Sequence, residues 1–401
     1  MSFNWDFNYP SRRMPVMARQ VVATSQPLAS QAGLQMLAQG GNAIDAALAA
    51  AITLTVVEPT MNGIGSDAFC ILSDADGTLH GLNASGRSPA SWSPERFAGQ
   101  RQMPTKGWDA VTVPGCVSAW VTLSKRFGRL PFADLFQPAI GYAREGWLVP
   151  PIVAASWDKA VSAYADQPDW QEAFLRNGAA PRAGELFRFE EQARTLELIA
   201  ASEGEAFYRG ELATAIVDHA AKGGGAMTVD DLAAHKPEWV TPLQLDYRGQ
   251  SLHEIPPNGQ GITAQIALGI LRHFDLARLD PDGIQSLHLQ IEAMKLAYAD
   301  AFRYVSDPET RDIDFKMLLD DVYLQQRSEL IDPQRAIKHP SGQPGQGETV
   351  YLTAADSEGR MVSYIQSNFS GFGSGVVVPQ TGISLQNRGS GFSLEPGHPN
   401  Q

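Results

Sequence analysis

The chain has 401 residues, 43% of them hydrophobic and 19% charged, which is enough apolar material for a sizeable core and too much for a disordered chain. With 31 Lys and Arg against 44 Asp and Glu, the net charge is -13. That balance excludes a basic nucleic-acid surface and disfavours an anionic membrane.

The N-terminal stretch has no apolar run behind Arg12 and Arg13, so it reads as neither a secretory nor a twin-arginine signal, and a cytoplasmic location is expected. A first helix is predicted from Pro27, which can sit in a first turn after Ser25, to a stop at Gly40-Gly41. Asn42, followed three residues later by Asp45, predicts the cap of a second helix, whose small and apolar run from Ala46 to Leu54 requires burial on most sides. The longest apolar stretch, Ala46 to Val57, is far short of the ~20 residues of a membrane span. Phe69 to Leu72, a turn at Asp74-Ala-Asp-Gly and Leu79 to Leu82 read as a hairpin. Cys70 and Cys116 are far apart in sequence and fit buried thiols better than a disulfide or metal knuckle.

Residues 130–250 alternate amphipathic helices with polar turns. A long helix is predicted from Ile284 to Tyr304, with Leu287, Ile291, Met294, Leu296, Ala297 and Phe302 on its apolar face. His288 and Glu292 share a face of it, but no third ligand lies near them, so no metal and no cofactor is expected. The stretch 339–347, rich in proline and glycine, reads as a linker. Beyond it, 349–356 and 361–367 form a second hairpin pattern around Ser357-Glu-Gly. The chain thus divides into 1–348, including the linker, and 349–401.

Common catalytic signatures are absent: there is no Gly-x-Ser-x-Gly elbow, no dinucleotide fingerprint and no phosphate loop. Thr349 is the residue that draws notice, because it opens a strand directly after the linker. Cleavage before it would give Thr349 a free α-amino group of pKa about 7.7–8.0, suited to take the proton of its own hydroxyl and make it a nucleophile. The plain alternative is a threonine chosen for strand propensity.

Gly347-Glu-Thr-Val-Tyr-Leu-Thr-Ala-Ala-Asp-Ser-Glu-Gly, continuing to Ser363-Tyr-Ile-Gln-Ser-Asn-Phe-Ser-Gly-Phe-Gly-Ser-Gly-Val-Val-Val-Pro, resembles the processing site and first hairpin of the γ-glutamyltranspeptidase family. Gly41-Asn-Ala-Ile-Asp-Ala-Ala, Val57-Glu-Pro-Thr-Met-Asn-Gly-Ile-Gly-Ser, Val113-Pro-Gly, Pro256-Pro-Asn-Gly-Gln-Gly and Glu292-Ala-Met-Lys-Leu-Ala-Tyr-Ala-Asp follow the same family order. The resemblance implies an N-terminal-nucleophile hydrolase of class α+β. Its fold is a four-layer αββα sandwich of two stacked sheets, made as a precursor that cleaves itself into large and small subunits. A homodimer is compatible with it. Thr349 matches the nucleophile, whose hydroxyl attacks the Glu348 carbonyl in maturation. Ser367 stands where the family has a second threonine that holds the nucleophile. The matured enzyme then passes an acyl group from a small-molecule amide to water or an amine.

Three departures from the family pattern bear on substrate. Ser85 occupies the register of the family arginine that clamps the glutamyl carboxylate, with Arg87 two positions along. Phe369 replaces a family asparagine, and Gly391 replaces the acid that holds the substrate ammonium. Losing a buried charge partner costs about 2–5 kcal/mol, which disfavours a plain γ-glutamyl substrate. Gln386-Asn-Arg-Gly-Ser-Gly-Phe looks more like the branch containing oxamate amidohydrolase, whose substrate has a carboxylate and no amino group. The candidate substrate contacts are Arg87, Asn368, Phe369, Arg388 and Gly391. Arg87 ranks ahead of Arg388 because it lies beside the family register. A glutathione-like γ-glutamyl substrate is the alternative, as is a silent, unprocessed fragment: only residues 350–401 follow Thr349, whereas family small subunits are considerably longer and carry an oxyanion hole in the remainder. The fold is accordingly expected to be incomplete at its C-terminus, and the chain to be a poor enzyme by itself.

Overall fold

Helix α1 (Pro27–Ala38) and helix α2 (Ala43–Val57) pack against each other in the main core. The computed structural model describes residues 16–310, 314–337 and 350–401. Every residue of α2 is buried, as its alanine-rich sequence demands. Gly33 of α1 lies so close to α2 that a Cβ there would sit 2.8 Å from the Ala46 carbonyl oxygen. The capping box at Asn42 forms as expected: its Oδ1 accepts from the amides of Ile44 (2.9 Å) and Asp45 (3.1 Å), while Asp45 Oδ2 accepts from the Asn42 amide (2.9 Å). For α1 the cap is Gln26, one residue beyond the expected Ser25; its longer side chain folds back onto the Leu28 amide.

The chain then builds a six-stranded antiparallel sheet from β1 (Val21–Ala23), β2 (Asp67–Ser73), β3 (Leu79–Ala84), β4 (Glu238–Val240), β5 (Val350–Ala355) and β6 (Met361–Ser367), in the order β1-β5-β6-β2-β3-β4. Both expected hairpins are present, and the second is inserted between β1 and β2. One face of the sheet lies on α2 and helix α3 (Cys116–Phe127), burying Leu352, Val362, Tyr364, Leu72 and Leu82. Burial also fits both cysteines: the Cys70 thiol is pushed up to about 12 and the Cys116 thiol is raised as well, with Asp67 adding to the effect. The opposite face carries Tyr351, Ile365, Phe69, Ile71 and Met361, which are exposed or half-buried. The other strands form two-stranded ribbons, so a second large sheet is not found among the described residues.

Of the stretch 130–250, residues 137–234 are mostly short helices and turns, as expected, whereas Glu238–Val240, Leu243–Tyr247 and Gln250–Glu254 are strands. Helix α4 (Ile262–Leu271) and helix α5 (Ile284–Tyr304) share a smaller apolar cluster with Leu243, Leu245, Phe315, Leu318 and Leu324. The bounds of α5 match the sequence pattern, and Leu296 and Ala297 are buried as expected, but the rest of the buried face differs. Leu287 and Ile291 are 46% and 58% exposed, and the face turned inward carries Leu289, Glu292, Ala293, Leu296, Ala297, Asp300 and Ala301. Hydropathy missed this face because its two acids are paired: Lys295 Nζ donates to Glu292 Oε1 at 2.6 Å, and Arg327 Nη2 lies 2.8 Å from Asp300 Oδ1. Among the described residues no helix is long and apolar enough to cross a membrane.

The α2 N-terminus also ties distant parts together. Asp356 Oδ2, in the β5–β6 turn, accepts from the Ala43 amide (3.1 Å), and Asp45 accepts from the Arg129 amide (3.1 Å). Desolvation raises the Asp45 carboxyl above its ordinary value against these amide bonds. Replacing Asn42 by Ala is expected to destabilise the protein by about 1–2 kcal/mol, whereas Asn42→Ser should retain most of that, as read by urea unfolding. Equal losses in the two variants would mean that the cap is not what stabilises this corner.

Candidate active site

Ser367 ends β6 directly opposite Asp67, the first residue of β2. Its buried Oγ accepts from the Phe369 amide at 2.8 Å, clasping a turn in which Phe369 adopts φ +77°. That left-handed conformation is one that asparagine tolerates and an aromatic residue adopts at a cost of about 1–3 kcal/mol. Asn368 is fixed from three sides. Its amide donates to Met61 O (2.9 Å), its Oδ1 accepts from Ser66 Oγ (2.9 Å), and its carbonyl accepts from the Asn387 amide (3.0 Å).

Ser66 carries the network further, because its carbonyl accepts from the amides of Gly115 and Cys116, each at 3.0 Å. The segments around residues 57–66, 113–115, 363–379 and 386–392, far apart in sequence, therefore meet in one corner. The approach is close enough to require glycine: a Cβ on Gly63 would fall 2.1 Å from Ser384 Oγ, and one on Gly115 would fall 1.8 Å from the Ala84 carbonyl oxygen.

Arg388 stands in this corner. Its Nε and Nη2 donate to Asp67 Oδ2 and Oδ1 at 2.7 and 2.9 Å, and its guanidinium lies 4.5 Å from the centroid of the Phe369 ring. Its amide donates to the Gln386 side-chain carbonyl. Gly391 ends the same 3₁₀ turn, Arg388–Gly391, with open space where a side chain would be. Ser367, Asn368, Phe369, Arg388 and Gly391 are thus gathered together.

Arg87 is placed differently. Its side chain is 55% exposed and is engaged by Asp307 (2.8 Å), Glu309 (2.8 Å) and Glu238 (3.4 Å). Its neighbour in the family register, Ser85, exchanges hydrogen bonds with Asn83 and with Asn258 of the Pro256 motif: Ser85 Oγ donates to Asn83 Oδ1 (2.8 Å) and accepts from Asn258 Nδ2 (2.9 Å). Close by, burial and then the charge of Arg87 depress His235 to about 4. This neutral imidazole lies 2.9 Å from Ser118 Oγ and stacks on Tyr208. His288 and Glu292 do not converge on a common point: His288 Nε2 meets the Asp332 carbonyl at 2.8 Å, and Glu292 belongs to Lys295 and the Ile337 amide. Glu348, Thr349 and the linker 339–347 lie outside the described residues.

The residue that sequence reading passed over is Asp67. A signal for it existed: an acid opens the otherwise apolar strand Asp67-Ala-Phe-Cys-Ile-Leu, and a carboxylate in such a strand needs a cation.

The model of the family described as gamma-glutamyltranspeptidase matches residues 29–401. The glutathione hydrolase-like YwrD proenzyme of Bacillus subtilis is 40% identical over 95% of this chain and 73% of its own length. The oxamate amidohydrolase proenzyme of Klebsiella pneumoniae is 39% identical over 92% of this chain and 71% of its own. Among solved structures, a cephalosporin acylase from Bacillus halodurans superposes with a TM-score of 0.92 at 48% identity, covering 100% of this chain and 75% of that one. With several of the family motifs meeting in one corner and these relatives in view, the chain belongs to the gamma-glutamyltranspeptidase family.

Proposed function

We propose that this chain is the precursor of an N-terminal-threonine amidohydrolase acting on a small amide that bears a carboxylate and no amino group, of which oxamate is the simplest. The observation that carries this reading is the corner holding Ser367, Asn368 and a partly exposed Arg388 at the end of β6. Val350, the residue after Thr349 in sequence, pairs with Gln366, the residue before Ser367. On this reading Thr349 Oγ attacks the Glu348 carbonyl carbon, the peptide C–N bond breaks to leave an ester, and water opens it. The cut between Glu348 and Thr349 makes two polypeptides, of which 349–401 is the first part of the second, and Thr349 keeps a free α-amine. In turnover that amine takes the hydroxyl proton as Oγ attacks the substrate carbonyl, and the proton leaves with ammonia. Water finally releases the acid from the ester.

Layering belongs to the same proposal. The open face with Tyr351, Ile365, Phe69 and Ile71 has the character of a surface that a second sheet covers in an αββα sandwich.

Support for the substrate comes from charge. No acid occupies position 391 to meet an ammonium, and Phe369 covers one side of the guanidinium with an apolar ring. The 39% identity to an oxamate amidohydrolase agrees with this chemistry. Arg388 is the better candidate for the substrate carboxylate, reversing the order suggested by register, because the three acids around Arg87 already satisfy it.

Two outcomes test the reading. A denaturing gel with intact mass analysis should show cleavage at Glu348–Thr349 and a single uncut chain for Thr349→Ala; cleavage at another bond would remove the mechanism. A complete, processed form should release ammonia from oxamate with higher kcat/KM than it releases p-nitroaniline from a γ-glutamyl anilide. Arg388→Ala should lower the first activity about 30-fold or more, and Arg87→Ala should change it less. A clear preference for the γ-glutamyl compound would refute the substrate while leaving the nucleophile untouched.

A further inference from the structure

We infer that Asp67 is a positioning residue, which holds Arg388 by one edge so that the other edge is presented to a substrate carboxylate. The inference rests on the carboxylate-bearing substrate proposed above and adds the residue that makes the cation usable.

A guanidinium offers two forks, one formed by Nε and Nη2 and one formed by Nη1 and the second hydrogen of Nη2. Asp67 occupies the first fork with both oxygens. Among the described residues, Nη1 has no hydrogen-bond partner. The second fork is therefore the one left for a carboxylate, which it can hold through two charge-assisted hydrogen bonds.

Burial is unequal across the pair: the Asp67 side chain is 1% exposed and that of Arg388 is 30% exposed. Asp67 cannot follow its partner, because it is locked in the sheet opposite Ser367. Phe369 closes one face of the guanidinium at 4.5 Å. The arginine is thus held from its inner edge and one face, and its outer edge is aimed from a fixed point beside Ser367.

Two effects of Asp67 oppose each other. Its negative charge weakens the bare attraction of Arg388 for an anion, and its fork keeps the guanidinium from swinging into water. The proposal states that orientation outweighs charge. Misplacing a binding group by about 1 Å can cost as much as 10²-fold, so a loss of about tenfold is the expected scale.

The test is a double-mutant cycle on the processed full-length protein with oxamate and its uncharged analogue oxamide, reading KM by ammonia release where the ligand is turned over and the dissociation constant by calorimetry where it is not. Asp67→Asn should weaken oxamate about tenfold and leave oxamide nearly unchanged. In an Arg388→Gln background the same substitution should have no further effect on oxamate. Tighter oxamate binding in Asp67→Asn, equal weakening of both ligands, or additive losses in the cycle would each overturn the inference. Should Asp67→Asn fail to fold, Arg388→Lys keeps the charge and Asp67 but lacks the second fork, and it must weaken oxamate by a similar factor. Glutarate separates the two proposals. If it binds through Arg388 and oxamate does not, the small-amide substrate fails and the positioning role stands; if neither binds in an Arg388-dependent way, the positioning role falls.

Discussion

The register between β2 and β6 is the constraint on which the rest of this structure depends. It sets Asp67 opposite Ser367 and, six residues along, Ser73 opposite Met361. A slip of one residue would turn Tyr364 and Leu72 out of the core and move Asp67 away from the Arg388 fork. The packing of the sheet on α2 and the geometry of the candidate site are therefore decided together. Neither can be altered without the other, because the inward residues Val362, Tyr364 and Gln366 alternate along β6 with an outward set that ends in Ser367, the serine that clasps the Phe369 turn.

This coupling explains which parts of the molecule were legible beforehand. The α2 cap, the bounds of α5 and both hairpins follow from local rules of spacing and turn chemistry, and Asn42, Ile284 and the turn after Asp356 obeyed them. What failed depends on partners remote in sequence. The buried side of α5 holds Asp300, whose cation Arg327 comes from another helix, and Glu292, paired within the helix to Lys295, so hydropathy placed the buried face only in part. Asp67 was missed for the same reason: its partner lies more than three hundred residues away, and nothing in the strand itself names it. Arg87 was favoured by register, yet its surroundings include acids from two other segments that no local pattern could reveal.

The corner also separates a frame of backbone contacts from the side chains set over it. The segments around Gly63, Gly115 and Asn368 hold one another through backbone amides and carbonyls and through Ser66, contacts indifferent to the charge of a ligand. Over that frame, position 369 carries an aromatic ring in a backbone conformation that asparagine would adopt more readily, and that ring lies against Arg388. The strain of the turn and the seating of the guanidinium are two aspects of one exchange.

The insertion of β5 and β6 between β1 and β2 has a consequence for chain connectivity. The pair β5–β6, from beyond the 338–349 segment, is flanked on both sides by strands from before it, so each outer ladder that holds the pair in the sheet is made with the earlier part of the chain. A single cut in that segment would free two new ends yet release neither piece, since separation requires breaking the ladders to β1 and β2 together and uncovering α2. The nicked protein would persist as a kinetically trapped two-chain assembly, stable to dilution, and the pieces once unfolded would face a bimolecular search that the uncut chain avoids.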